Sequence, residues 1–158
     1  MNEFTIKLLY KSLVRPHLEY GAAIWSQYWQ YDIDNLEAVQ RRATKIESLR
    51  GYSYIERLKV LSLPSLETRR RRGNLIQMFK IVKGKDKVNF HFQPQTFELD
   101  LGRGRHDERI RMQLTKSMIR YHFFTNRVVN DWNSLTQEII DKDNINLFKN
   151  SIDNNFRF

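Results

Sequence analysis

A chain of 158 residues with 41% hydrophobic and 13% aromatic side chains has the material for a folded core, which excludes a wholly disordered polypeptide. It contains no cysteine, which excludes disulfides, thiolate metal sites and cysteine nucleophiles and fits an intracellular protein, nuclear or cytoplasmic. The formal charge of +9 favours a polyanionic partner, and no apolar run approaches the roughly 18 residues that would span a bilayer, so no membrane partner is expected.

The first predicted element is a helix from Phe4 to Val14, with Leu8, Leu9 and Leu13 at helical spacing. Pro16 breaks or restarts it, and Leu18 to Trp25 reads as a second helical piece. Because helical pattern begins almost at Met1, the chain is expected to be cut from a longer protein. The cluster Trp25, Tyr28, Trp29 and Tyr31 fits packing better than base stacking. A helix capped by Asp32 or Asp34 runs to about Leu49. Its apolar stripe is Ile33, Leu36, Val39, Ala43, Ile46 and Leu49, with Arg41 and Lys45 on the opposite face. Gly51 ends it.

Ser53 and Glu56 form a capping box for a short helix through Leu61, and Ser65 caps the next one. That helix opens on Arg69-Arg70-Arg71-Arg72, carries the core stripe Leu75, Met78, Phe79 and Val82, and stops at Gly84. With Leu75 at the centre of the stripe, Arg71 and Arg72 fall near the core, where Glu67 or Glu56 would pair with them, and Arg69 and Arg70 point outward. Four cations at a helix start oppose the macrodipole, which hints at a functional demand. Farther on, Phe97, Leu99 and Leu101 alternate with acidic residues, and Ile110, Met112 and Leu114 alternate with polar ones. The two runs predict a basic hairpin around Gly102-Arg103-Gly104-Arg105. Phe124, Val128, Trp132 and Leu135 share a helical face. A last helix spans about Ile145 to Asn154, with Leu147, Phe148 and Ile152 inward.

The fold class expected is therefore mainly α, a helical bundle followed by a small β-hairpin and two C-terminal helices. Residues 1–84 would form the helical subdomain, residues 85–95 a charged linker, and residues 96–158 the hairpin with the final helices. Charge is gathered in blocks. Residues 41–83 hold 12 basic and 3 acidic side chains, residues 101–127 hold 7 and 2, and residues 128–158 hold 3 and 5.

Chemistry is not evident. Two-metal catalysis needs clustered carboxylates, and Asp32 with Asp34, or Asp141 with Asp143, are better read as helix caps or exposed loop residues. His17, His91, His106 and His122 lack ligand spacing, and Gly102-x-Gly104 lacks the rest of a nucleotide fingerprint. No enzyme activity, metal or cofactor is expected of this chain.

The segment YKSLVRPHLEYGAAIWS at Tyr10 to Ser26 resembles the stretch that follows the polymerase palm in jockey-like non-LTR retrotransposons. LEAVQRRATK at Leu36 to Lys45 and YSYIERLKVLSLPSLETRRRRGNLIQMFKIVKG at Tyr52 to Gly84 continue the likeness. So do FFTNRVVNDWNSL at Phe123 to Leu135 and INLFKNSID at Ile145 to Asp153. Thr136 stands where that family usually has proline. The resemblance implies the thumb and post-thumb region of a reverse transcriptase whose catalytic aspartates lie upstream in the palm. Its partners would be RNA, DNA or an RNA–DNA hybrid, together with that palm. The family's cysteine-rich knuckles have no counterpart here. Arg41, Lys45, Arg69, Arg70, Lys80 and Lys83 are the candidate phosphate contacts, and Arg103, Arg105, Arg109 and Arg111 a second set. The alternative is a relic or co-opted helical interaction module. An independent helix-turn-helix DNA reader built on Ser53–Val82 is a more distant one.

Overall fold

The computed structural model of the protein describes residues 2–25, 28–88 and 106–156. The class is mainly α, as expected. Two compact units divide the chain, residues 1–70 and residues 71–158. The division falls between Arg70 and Arg71 rather than in the charged segment 85–95, much of which lies outside the described residues.

In the first unit, α1 (Glu3–Leu9) begins at Asn2, whose side chain accepts from the Thr5 amide at 2.8 Å. The helix does not stop before Pro16. It widens into a π-helical segment, Tyr10–Val14, and continues as α2 (Arg15–Glu19). The Arg15 amide reaches back to the Tyr10 carbonyl, five residues away. Proline has no amide hydrogen and its ring crowds the carbonyl four residues earlier, so a wider turn accommodates it without ending the helix. The break comes instead at Gly21, with φ +63°, before the short α3 (Ala22–Trp25). The Trp25 indole donates to the Tyr20 carbonyl across this turn. The aromatic cluster is not core. Trp25, Trp29 and Tyr31 are exposed, and Tyr28 tilts against Trp29 with ring centroids 5.0 Å apart.

Helix α4 (Gln30–Ala43) starts earlier than its aspartates suggest, with Trp29 at the N-cap, and ends at Thr44 rather than Gly51. A 3-10 turn, Glu47–Leu49, follows. The fully buried positions of α4 are Glu37 and Gln40, not the apolar stripe. They anchor a polar network. The Tyr10 hydroxyl donates to Gln40, and the Gln40 amide donates to the Tyr54 hydroxyl and to the Pro64 carbonyl, both at 3.0 Å. Tyr54 donates to Glu37, which also accepts the Leu66 amide at 3.0 Å. Each of the four side chains Tyr10, Glu37, Gln40 and Tyr54 in this network thus meets a partner. Burial pushes the Tyr10 phenol well above its ordinary value, and burial with the Glu37 hydrogen bond does the same for Tyr54, so both remain protonated donors. Around the network, Tyr10, Leu49, Leu61 and Leu63 form an apolar cluster joined by Val14, Ala43, Ile46 and Leu58.

The capping box forms as expected at the start of α5 (Tyr54–Leu61). The Glu56 amide donates to Ser53 Oγ at 3.3 Å, and the Ser53 amide donates to the Glu56 carboxylate at 2.7 Å. Ser65 accepts the Thr68 amide at 3.1 Å at the start of α6 (Leu66–Val82), and the chain turns at Gly84 with φ +64°.

The second unit is built on Leu75, Met78 and Phe79 of α6, all fully buried, with Val82 only half-buried. Phe79 stacks on Phe148 at 4.1 Å, and Trp132 lies 6.3 Å from the same ring. The predicted face of Phe124, Val128, Trp132 and Leu135 is buried throughout. Its backbone is nevertheless divided into α8 (Phe124–Arg127) and α9 (Val129–Asn133), after a one-turn α7 (Met118–Tyr121). Then come α10 (Gln137–Ile140) and α11 (Ile145–Phe156), where Phe148 and Ile152 point inward and Leu147 is exposed instead.

The predicted hairpin is corrected in its second arm. Ile110 makes an isolated bridge, and residues 111–115 form no strand. The first arm, Phe97–Leu101, lies outside the described residues. Side-chain amides also hold this segment. The Ile110 amide donates to Asn133 Oδ1 at 3.0 Å, and Asn133 Nδ2 donates back to the Ile110 carbonyl at 2.8 Å. Asn126 repeats the device on both backbone groups of Gln113, at 3.0 and 3.1 Å. The backbone of an alternating apolar sequence is thereby tied to helices by side-chain amides.

Candidate nucleic-acid interface

The four arginines that open α6 are not presented together. Arg69 makes a two-pronged ion pair with Glu19, which raises its pKa further. Arg70 is 94% buried, being 6% exposed, and neither of its terminal nitrogens has a hydrogen-bond partner. Burial lowers its pKa, partly offset by the charges of Glu37, Glu67 and Glu19. The outward orientation expected for these two residues is therefore wrong. Leu66, Arg69 and Arg70 sit at i, i+3 and i+4, so the face that buries Leu66 carries both arginines inward. Arg71 pairs with Asp131 through two hydrogen bonds of 2.6 Å, and Arg72 with Asp153 at 2.5 and 2.9 Å. Neither uses Glu67 or Glu56. The adverse macrodipole is answered by distant carboxylates, so the charge run has a structural explanation.

Two further candidates are also paired. Lys80 lies 3.5 Å from Asp86, and Lys83 donates to Glu108 at 3.0 Å. Arg109 is half-buried and Arg111 exposed, each with interactions of its own. Arg103 and Arg105 lie outside the described residues.

Arg41 and Lys45 are exposed, as expected, at the end of α4, and Arg42 between them is exposed as well. None of the three has a carboxylate partner among the described residues. The Arg41 guanidinium lies 5.1 Å from the Tyr54 ring centroid, a cation–π contact that fixes its base. Arg57 of α5 lies 5.8 Å from the same ring and donates from Nη1 to the Arg41 carbonyl at 3.3 Å. That carbonyl belongs to the last turn of α4, where cations are favoured and carbonyls lack helical partners.

Beside this helix end lies a surface pocket of about 320 Å³, whose lining includes Lys45, Arg50 and Arg57 together with Glu47, Gly51 and Tyr52. Gly51, at φ +92°, makes the left-handed turn that carries the chain from the 3-10 turn toward α5. Arg50 pairs with Glu47 at 3.2 Å, and both side chains are more than four-fifths exposed, at 83% and 87%. Sequence reasoning missed Arg50, Tyr52 and Arg57. They are scattered singly over eight residues of sequence, and only the return of the chain at Gly51 gathers them.

Among the described residues, no three His, Asp or Glu side chains gather as a metal site, and no helix is long and apolar enough to cross a membrane. No protein-family model, curated protein or solved structure matches the chain significantly.

Proposed function

We propose that this chain is the non-catalytic thumb and C-terminal portion of a non-LTR retrotransposon reverse transcriptase, and that it holds an RNA template or template–primer duplex through phosphates. The ordered motifs from Tyr10 to Asp153 support the family, and a net charge of +9 supports a polyanionic partner. The observation that carries the nucleic-acid reading is the exposed set Arg41, Arg42 and Lys45 at the end of α4, none of them paired with a carboxylate among the described residues. Three such cations within five residues track a sugar–phosphate backbone without reading bases. In this reading the palm of the same polymerase supplies the catalytic aspartates, and this chain supplies grip and register.

Fluorescence anisotropy of the full chain with a labelled RNA–DNA hybrid tests this. Binding at low salt that weakens steeply as salt is added is expected. Absence of binding at low salt, or binding indifferent to salt, overturns it. The exposed Trp25, Trp29 and Tyr31 favour a second reading, a protein-interaction module without nucleic-acid function. That reading expects no hybrid binding at any salt.

A further inference from the structure

The first-unit pocket holds an anomaly that the α4 cations do not explain. Arg57 is 94% buried, at 6% exposure, yet no carboxylate lies within ion-pair distance of it among the described residues. Its Nε is buried without a hydrogen-bond partner, and among the described residues its contacts are neutral, the Arg41 carbonyl and the Tyr54 ring. A buried cation without a counter-charge is unfavourable unless an anion completes its surroundings. Arg69 and Arg72, half-buried, each have a carboxylate, whereas Arg70, buried to the same degree as Arg57, does not line this pocket. Arg57 lines a pocket to which Lys45 and Arg50 also contribute. Glu47 is the acid on the same wall, and its exposed pair with Arg50 is weak enough to yield to a stronger anion. Tyr52, also on the wall, is 51% exposed.

We infer that this pocket is a nucleotide subsite for a single strand: one phosphodiester sits against Lys45, Arg50 and Arg57, and the attached base stacks on Tyr52. The inference rests on the nucleic-acid reading above and deepens it by naming where one nucleotide is held. An unpaired base is required, because a base within a duplex has no free face to lay on a tyrosine. Guanidinium and ammonium groups without a base-edge pattern give no sequence preference.

The test is anisotropy of the full chain with a fluorescein-labelled single-stranded oligonucleotide and, in a separate arm, a blunt duplex. Lys45→Ala with Arg50→Ala removes two exposed side chains and leaves the fold intact, which circular dichroism checks. It is expected to flatten the log–log salt dependence by about 1.4, from two phosphate contacts at roughly 0.7 each. Tyr52→Ala is expected to weaken single-strand binding on the order of tenfold and leave both the salt slope and duplex binding unchanged. Arg57→Met is expected to weaken it as well, and Glu47→Gln to strengthen it roughly twofold. Single-strand binding by the wild-type chain that the Tyr52 and Arg57 variants leave unaltered overturns the pocket while sparing the nucleic-acid reading. Loss from Tyr52→Ala in the duplex arm equal to that in the single-strand arm overturns the stacking assignment. No binding of either probe by the wild-type chain overturns both.

Discussion

Arg70 is the residue whose environment departs furthest from expectation. Its terminal nitrogens are buried and unpartnered, so each forfeits hydration without compensation. Replacing it by methionine, similar in length and uncharged, is expected to leave the unfolding free energy unchanged or raise it by about 1–2 kcal/mol. Urea unfolding measures this, and a loss above about 2 kcal/mol would show that the guanidinium is held by something stronger. Hybrid binding should not change. His106 presents the opposite balance. Its Nε2 donates to the Trp132 carbonyl at 3.0 Å, which leaves Nδ1 as a buried acceptor without a partner. Burial lowers its pKa, only partly offset by the Trp132 carbonyl and Glu108. A depressed folded pKa means that unfolded chains take up the proton first as pH falls. Stability from this group is therefore complete above the ordinary histidine value near 6.5 and is lost below it. The slope of unfolding free energy against pH in that acid range should shrink in His106→Gln; an unchanged slope would assign the acid sensitivity to other groups.

At the scale of elements, the helices were legible where periodicity and caps act locally. The Ser53–Glu56 box, the Leu75-Met78-Phe79 stripe and the Phe124 to Leu135 face all follow from spacing. Three things were not legible. The π-helical segment depends on how a continuing helix absorbs Pro16, a question of backbone geometry. The polar network on α4 depends on Tyr10, Tyr54 and Leu66 meeting Glu37 and Gln40 across up to 30 residues of sequence. The anchoring of the run from Ile110 depends on Asn126 and Asn133, whose residue type gives no sign of what their amides reach. Those two asparagines are expected to matter more than any nearby surface residue. Asn133→Ala removes both partners of the Ile110 backbone and should cost roughly 1–3 kcal/mol by urea unfolding. A cost below about 0.5 kcal/mol would mean that water replaces the side chain.

For the whole molecule, charge counted along the sequence overstates the charge on offer. The block from 41 to 83 holds 12 basic residues. Arg69, Arg71, Arg72, Lys80 and Lys83 are in ion pairs, while Arg57 and Arg70 are buried. The candidate site accordingly moves from the arginine run of α6, where sequence draws the eye, to Arg41, Arg42 and Lys45. Like-charged neighbours look functional in a string because their partners, Glu19, Asp131 and Asp153, lie 50 to 81 residues away. The salt dependence of hybrid binding counts the phosphates actually neutralised, since each contributes a slope of about −0.9 on B-DNA and a similar one on a hybrid. With three principal contacts the wild-type slope should be near −3, and Arg41→Ala, Arg42→Ala and Lys45→Ala together should remove most of it. A slope that survives the triple substitution intact would contradict the assignment and return the contact to cations elsewhere in the chain.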